Sequence, residues 1–219
     1  HPIKELTMAD YTNVAAVKTD MPDSELFSST SYDYDGVLQG MITGASRLID
    51  KEVGGWANYF YPTTDDQTRY FDGNGEEEIY IDPLVSLTSV YVSESGGRAS
   101  TSYTAWTENT DFYVSPYNYS VIGAPIQSLV IDNDSGSKGN WGTTRKGVKV
   151  TGVFGYASYP PADIQQACKI TAMRWFMRAK QSWQDTSVNA AIGEMLYTQS
   201  LDPDVKEILK PYKIFNAVM

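Results

Sequence analysis

The chain has 219 residues, 42% of them hydrophobic and 20% charged, which is the composition of an ordinary globular protein. No apolar run approaches the ~18 residues of a membrane span, and the opening residues lack the basic, apolar and small-residue succession of a signal peptide. Beyond His1 there is no histidine, and Cys168 is the only thiol, which excludes Ser-His and Cys-His pairs, imidazole metal sites and intrachain disulfides. The net charge of -10 is uneven: residues 1–110 carry 6 basic and 18 acidic side chains (-12), and residues 111–219 carry 11 and 9 (+2). Such a chain as a whole repels phosphate and is not expected to grip nucleic acid.

The pattern predicts a short helix over 8–17, capped by Thr7 and with Asp10 near its positive end, then a polar loop over 18–32 containing Pro22. From 33 to 53 the apolar residues Val37, Leu38, Met41, Ile42, Ala45, Leu48 and Ile49 keep a 3.6-residue period, with Asp33 as cap and Gly54-Gly55 as stop. From 56 to about 156 short β-branched and aromatic runs replace it. Segments 67–71 and 77–81 flank Asp72-Gly73-Asn74-Gly75, the signature of a hairpin. Further strands are predicted over 85–92, 111–114, 126–131 and 147–154, separated by Pro83, Pro116, Pro125, Gly96-Gly97 and the glycine-rich stretch 136–142.

After Pro160-Pro161 the helical period returns, with Ile164, Ala167, Cys168, Thr171, Ala172, Trp175 and Ala179 on one face and Ile170, Met173 and Met177 on the other. A helix apolar on two sides is buried on two sides, against its own core and against the β region or a second subunit. Asp202-Pro203-Asp204 starts a short closing helix that Pro211 should end, leaving 212–219 as an extended arm. That arm carries Ile214, Phe215, Val218 and Met219 with only Lys213 charged, and is too apolar to stay in water.

The fold class expected is α+β: a helical scaffold from both chain ends (1–55 and 157–219) with an inserted antiparallel β region (56–156). The helix from Asp33 should pack on the helix from Pro161, burying Leu38, Ile42, Leu48, Ile49, Ile164, Cys168 and Trp175.

The order of certain segments resembles phage head-tail connector (neck adaptor) proteins. They are Ala45-Ser46-Arg47-Leu48-Ile49-Asp50, Tyr80-Ile81-Asp82-Pro83, Gly147-Val148-Lys149-Val150-Thr151-Gly152 with Gly155-Tyr156, and Pro160-Pro161-Ala162-Asp163-Ile164 with Ala167. The closing stretch from Asp202 to Lys213, with its Leu209-x-Pro211-Tyr212-basic ending, resembles the family's last helix. The resemblance implies a non-enzymatic virion subunit without cofactor or metal, assembled in the host cytoplasm. It would form a ring, usually a dodecamer, below the portal at the DNA exit, with tail-side neck proteins docking beneath and DNA passing without sequence-specific contact. It further implies that Lys210, Pro211, Tyr212, Lys213, Ile214, Phe215, Val218 and Met219 dock on the portal or a neighbour; the two-sided apolar pattern of the long helix separately offers Ile170, Met173 and Met177 to a subunit interface.

Other motifs are weaker. Glu76-Glu77-Glu78 alternate faces in a strand and do not converge. Asp132-Asn133-Asp134-Ser135-Gly136 reads as a turn, with a bound cation as a minor alternative. The alternative function is a carbohydrate-binding β-sandwich in which Trp56, Tyr59, Phe60 and Tyr61, or Tyr103 and Trp106, stack on sugar rings. A carboxylate-only glycosidase would need two acids across one cleft, and no pair is nominated.

Overall fold

The computed structural model describes residues 9–21, 34–93, 102–134, 136–180, 186–189, 194–197 and 201–214. The chain is α+β and falls into two compact units, one made of residues 1–59 and 160–219 and the other of residues 60–159.

The first unit is built on two long helices, α2 (Asp35–Val53) and α4 (Ala162–Lys180), which pack on one another. Leu38, Ile42, Ala45 and Ile49 of α2 and Ile164, Ala167, Cys168 and Ala172 of α4 are 0% exposed. Full burial of each larger side chain contributes about 1.5–3 kcal/mol. The two helices touch through Cys168, whose Sγ lies 3.4 Å from Ser46 Oγ and 3.8 Å from the Ile42 carbonyl oxygen. Burial there pushes the Cys168 thiol up to about 11, so this sulfur is a packed apolar group with no thiolate chemistry. Gly54 ends α2 in the left-handed conformation (φ 79), its N–H donating to the Asp50 and Lys51 carbonyls.

Several expectations for this unit need correction. Helix α1 runs Val14–Asp20, later than predicted, because Asn13 is the cap and its side chain accepts from the Ala16 N–H. Lys18, Thr19 and Asp20 are therefore helical, while Asp10 lies before the helix and its carboxylate accepts from Gln39 Nε2 (2.6 Å) and Thr43 Oγ1 (2.8 Å) on α2. Leu48 and Trp175 are only half-buried. Phe176 takes the inward place on α4, one full turn beyond Ala172, and meets Tyr34 edge-on at 5.8 Å. The cap of α2 is Tyr34, which makes no side-chain cap bond, and not the expected Asp33, because the helix starts only at Asp35; Asp33, Thr7 and Met8 lie outside the described residues.

Replacing Ile49 by Ala should cost about 2–5 kcal/mol, and Leu48→Ala clearly less, because part of that side chain is already in water. Denaturant titration of both variants checks this ordering, and equal losses would refute it.

The second unit is an antiparallel six-stranded sheet, β1 (Gln67–Phe71), β2 (Glu78–Val92), β3 (Thr104–Trp106), β4 (Phe112–Ser115), β5 (Ile126–Ile131) and β6 (Val148–Phe154), with one short helix, α3 (Tyr119–Ile122), between β4 and β5. The order is β1-β6-β2-β5-β4, with β3 also on β2. Strict alternation along β6 puts Val148, Val150 and Phe154 inside with Leu84, Val90, Phe112, Leu129 and Trp141, while Lys149 and Thr151 face out.

The predicted 67–81 hairpin is absent, since β6 lies between β1 and β2, pairing Tyr70 with Lys149 on one edge and Tyr91 with Lys149 on the other. The turn residues bond elsewhere: Gly73 N–H donates to the Thr144 carbonyl and Gly75 N–H to that of Gly142. Pro83 does not separate two strands either. It sits where the β2–β5 register shifts between Tyr80 and Leu84, so its missing N–H costs no ladder bond, and its carbonyl accepts from Gly155.

After α4 the chain forms a β-hairpin that the sequence reading did not anticipate, β7 (Thr186–Asn189) paired with β8 (Glu194–Tyr197). Helix α5 (Pro203–Leu209) and a 3₁₀ turn (Lys210–Tyr212) follow.

Candidate interaction surface

Helix α4 turns Ile164, Ala167, Cys168, Thr171, Ala172 and Phe176 inward. Ile170, Met173 and Met177, spaced three and four apart, form a separate stripe in which Ile170 and Met173 are half-buried and Met177 is 46% exposed. Ion pairs hold the helix in place: Lys169 Nζ meets Asp20 Oδ2 at 2.7 Å, tying α4 to the end of α1, and Arg174 meets Asp202 Oδ2 at 2.6 Å. The Asp202 carboxylate has a second task, since Oδ1 accepts the Asp204 N–H as the cap of α5.

The closing segment departs from expectation at Pro211. That residue lies inside the 3₁₀ turn, where its fixed φ is tolerated and its absent donor is not needed, so the chain tightens there and does not break. Tyr212 is consequently no part of an extended arm. Its hydroxyl donates to Asp163 Oδ2 at 2.7 Å, at the start of α4, and the Ile214 N–H donates to the Val53 carbonyl at 2.8 Å, at the end of α2. Lys210, Pro211 and Lys213 are exposed and Tyr212 and Ile214 half-buried, while Phe215, Val218 and Met219 lie outside the described residues.

The chief buried ionisable cluster joins three segments. Asp50 is 4% exposed and accepts from the Tyr11 hydroxyl and from the Asn58 (3.1 Å) and Tyr59 (3.3 Å) N–H groups. It also pairs with Arg47 at 3.0 Å, and Arg47 in turn donates to Asn58 Oδ1 and the Ala9 carbonyl. Burial pushes the Asp50 carboxyl above the ordinary carboxylate range against the opposing pull of Tyr11, Arg47 and the two backbone donors. The cluster clamps the segment before α1 and the turn after α2 onto α2. Sequence reading missed it, since nothing local brings Tyr11, Asp50 and Asn58 together.

The weaker motifs resolve as structure. Glu78 Oε1 accepts from Ser128 Oγ at 2.6 Å while Glu76 and Glu77 are exposed, and Asp132 is buried with Oδ1 closing a turn onto the Asp134 N–H. Among the described residues no group of three His, Cys, Asp or Glu is placed to hold a metal ion. The aromatic residues nominated for sugar stacking are largely inside: Tyr59, Phe60 and Trp106 are 3%, 0% and 7% exposed. Trp106 packs on Trp141 with centroids 4.9 Å apart, and half-buried Trp56 meets Tyr59 edge-on. The three buried rings offer no flat face to a sugar, whereas Trp56, Tyr61 and Tyr103 are half-buried.

No protein-family model matches the chain, and no curated protein matches it. Among solved structures it is similar to a chain of the neck of an empty gene transfer agent particle computed with C6 symmetry, at 10% identity and a TM-score of 0.46, over 93% of this chain and 88% of that one. It is also similar to a chain of the virion of a native gene transfer agent particle, at 12% identity and a TM-score of 0.45, over 91% of this chain and 92% of that one.

Proposed function

We propose that the chain is a structural virion subunit, a head-tail connector that forms a ring below the portal at the DNA exit and links capsid to tail. The observation that carries this reading is the order of the connector-like segments along the chain together with the elements they form. Ala45 to Asp50 lie in α2 and Pro160 to Ala167 lead into α4, the helix on which α2 packs. The Leu209-x-Pro211-Tyr212-Lys213 ending is fastened to both helices while keeping Lys210, Pro211 and Lys213 in solvent. In this reading 210–219 is the docking element for the portal or an adjacent subunit, and the Ile170, Met173 and Met177 stripe meets the next copy. Two unlike surfaces of one chain give a heterologous interface, which closes into a ring when the rotation allows. The role is mechanical and asks for no catalytic group.

The test is to mix the purified chain with purified portal assemblies and image the product by negative-stain electron microscopy. A closed ring of added density on one face of the portal is the expected result. A chain that stays unbound at concentrations of about 10 µM, well above a typical specific Kd, would sink the proposal.

A further inference from the structure

The outward face of the sheet gathers tyrosines around cations that make no ion pair among the described residues. Tyr70 on β1 and Tyr91 on β2 both lie opposite Lys149 on β6, so the three share one face and one row. Lys149 Nζ sits 5.0 Å from the Tyr91 ring centroid. The Tyr103 ring lies 6.3 Å from that of Tyr70, and its hydroxyl donates to the Lys146 carbonyl, which draws the turn before β6 into the cluster. Arg145 and Lys146 in that turn are exposed, as is half of Tyr70. Among the described residues Arg145, Lys146 and Lys149 make no ion pair, whereas Arg69 on the adjacent strand is paired with Asp82 at 2.7 Å. Asp72 lies close, its carboxylate accepting the Lys146 backbone N–H. The hydroxyls of Tyr70 and Tyr91 have no hydrogen-bond partner among the described residues.

We infer that this patch of Tyr70, Tyr91, Tyr103, Arg145, Lys146 and Lys149 is a contact surface for the phosphate backbone of DNA. Unpaired cations supply the sequence-independent attraction, tyrosine hydroxyls donate to phosphate oxygens, and tyrosine faces pack on sugar or base edges. The remainder of the chain is strongly acidic, so contact is confined to this patch and is weak in a single copy; repetition around a ring raises it by multivalency. The choice of DNA over another polyanion rests on the proposed neck role.

The test is fluorescence anisotropy of a labelled DNA duplex with the full chain across a potassium chloride series, with circular dichroism to confirm that each variant is folded. Saturable binding that weakens with salt is expected, with Arg145→Glu plus Lys149→Glu reducing affinity at least tenfold. Each lost cation should lower the log-log salt slope by about 1. Lys51→Glu, a change of an exposed cation on α2, should leave binding unchanged. Equal losses from Lys51→Glu, or no loss from the patch variants, would overturn the inference. Tighter capture of heparin than of DNA would overturn it too, by assigning the patch to an anionic polysaccharide. Patch-dependent DNA binding by a chain that never joins a portal would refute the neck reading alone, whereas ring formation with patch-independent DNA binding would refute only the patch.

Discussion

Asp50→Leu should lower the unfolding free energy by about 3–5 kcal/mol, the usual loss when one partner of a buried ion pair is removed. The leucine is close in volume, so the loss comes from what the carboxylate leaves behind: the Arg47 guanidinium without its counter-ion, the Tyr11 hydroxyl without its acceptor, and two N–H groups of the 58–59 turn without theirs. Urea denaturation followed by tryptophan fluorescence measures it, and a loss under about 1 kcal/mol would mean that water takes over the vacated contacts. The same carboxyl gives a pH signature of defined sign. Its folded pKa is raised above the unfolded one, so its contribution is fully present below the unfolded value and is lost as pH rises through the folded value. Asp50→Asn should accordingly fall furthest behind the parent chain in acid, and the gap should narrow as pH rises towards neutrality. A gap that widens instead would mean that Tyr11, Arg47 and the backbone donors outweigh burial.

Removal of 215–219 should abolish attachment to the portal while leaving the thermal midpoint within about 2 °C of the parent's. The cut spares the Ile214 N–H bond to Val53 and the Tyr212 bond to Asp163, which fasten the closing segment to α2 and α4. Cutting after Leu209 removes both fastenings and should lower the midpoint as well. Co-sedimentation with portal-bearing particles, alongside calorimetry of the free chains, separates the two effects. A 215–219 deletion that still co-sediments would take the docking role away from the tail, and one that melts far below the parent would make the tail part of the fold.

Helices α2 and α4 and strand β6 were legible in the sequence for the same reason: each has one buried side, and burial imposes a period of 3.6 or 2 that survives without neighbours. Strand order was not legible. Asp72-Gly73-Asn74-Gly75 has the local chemistry of a hairpin turn, but pairing is settled by which strand fits between β1 and β2, and β6 comes from about 80 residues downstream. Pro83 misled because a proline forbids only a ladder bond, and a register shift at that point removes the need for one. Trp106 looked like a binding residue because a large aromatic suits a core and a sugar platform equally, and only depth tells them apart. The tail was misread at Tyr212, since Pro211 excludes a further α-turn but not a 3₁₀ turn. The tyrosine and lysine patch was hidden for the same reason as strand order: Tyr70, Tyr91 and Lys149 share a row only through long-range register.

The two ends of the 60–159 unit are held together: the Phe60 ring lies 5.3 Å from that of Tyr156, Tyr61 lies 6.0 Å from Tyr159, and the Thr63 N–H donates to the Phe154 carbonyl. This closure favours one order of events in folding. Helices α2 and α4 must find each other across roughly a hundred intervening residues, and closing a loop of that length costs about 2 kcal/mol more than closing one of about ten. If the sheet forms first, its joined ends shorten the effective loop to a few residues at either side. Pulse-labelled hydrogen exchange should then show amides of β2 and β6 protected before those at the α2–α4 contact, and the helical unit should assemble fast only on a chain whose insert has already closed.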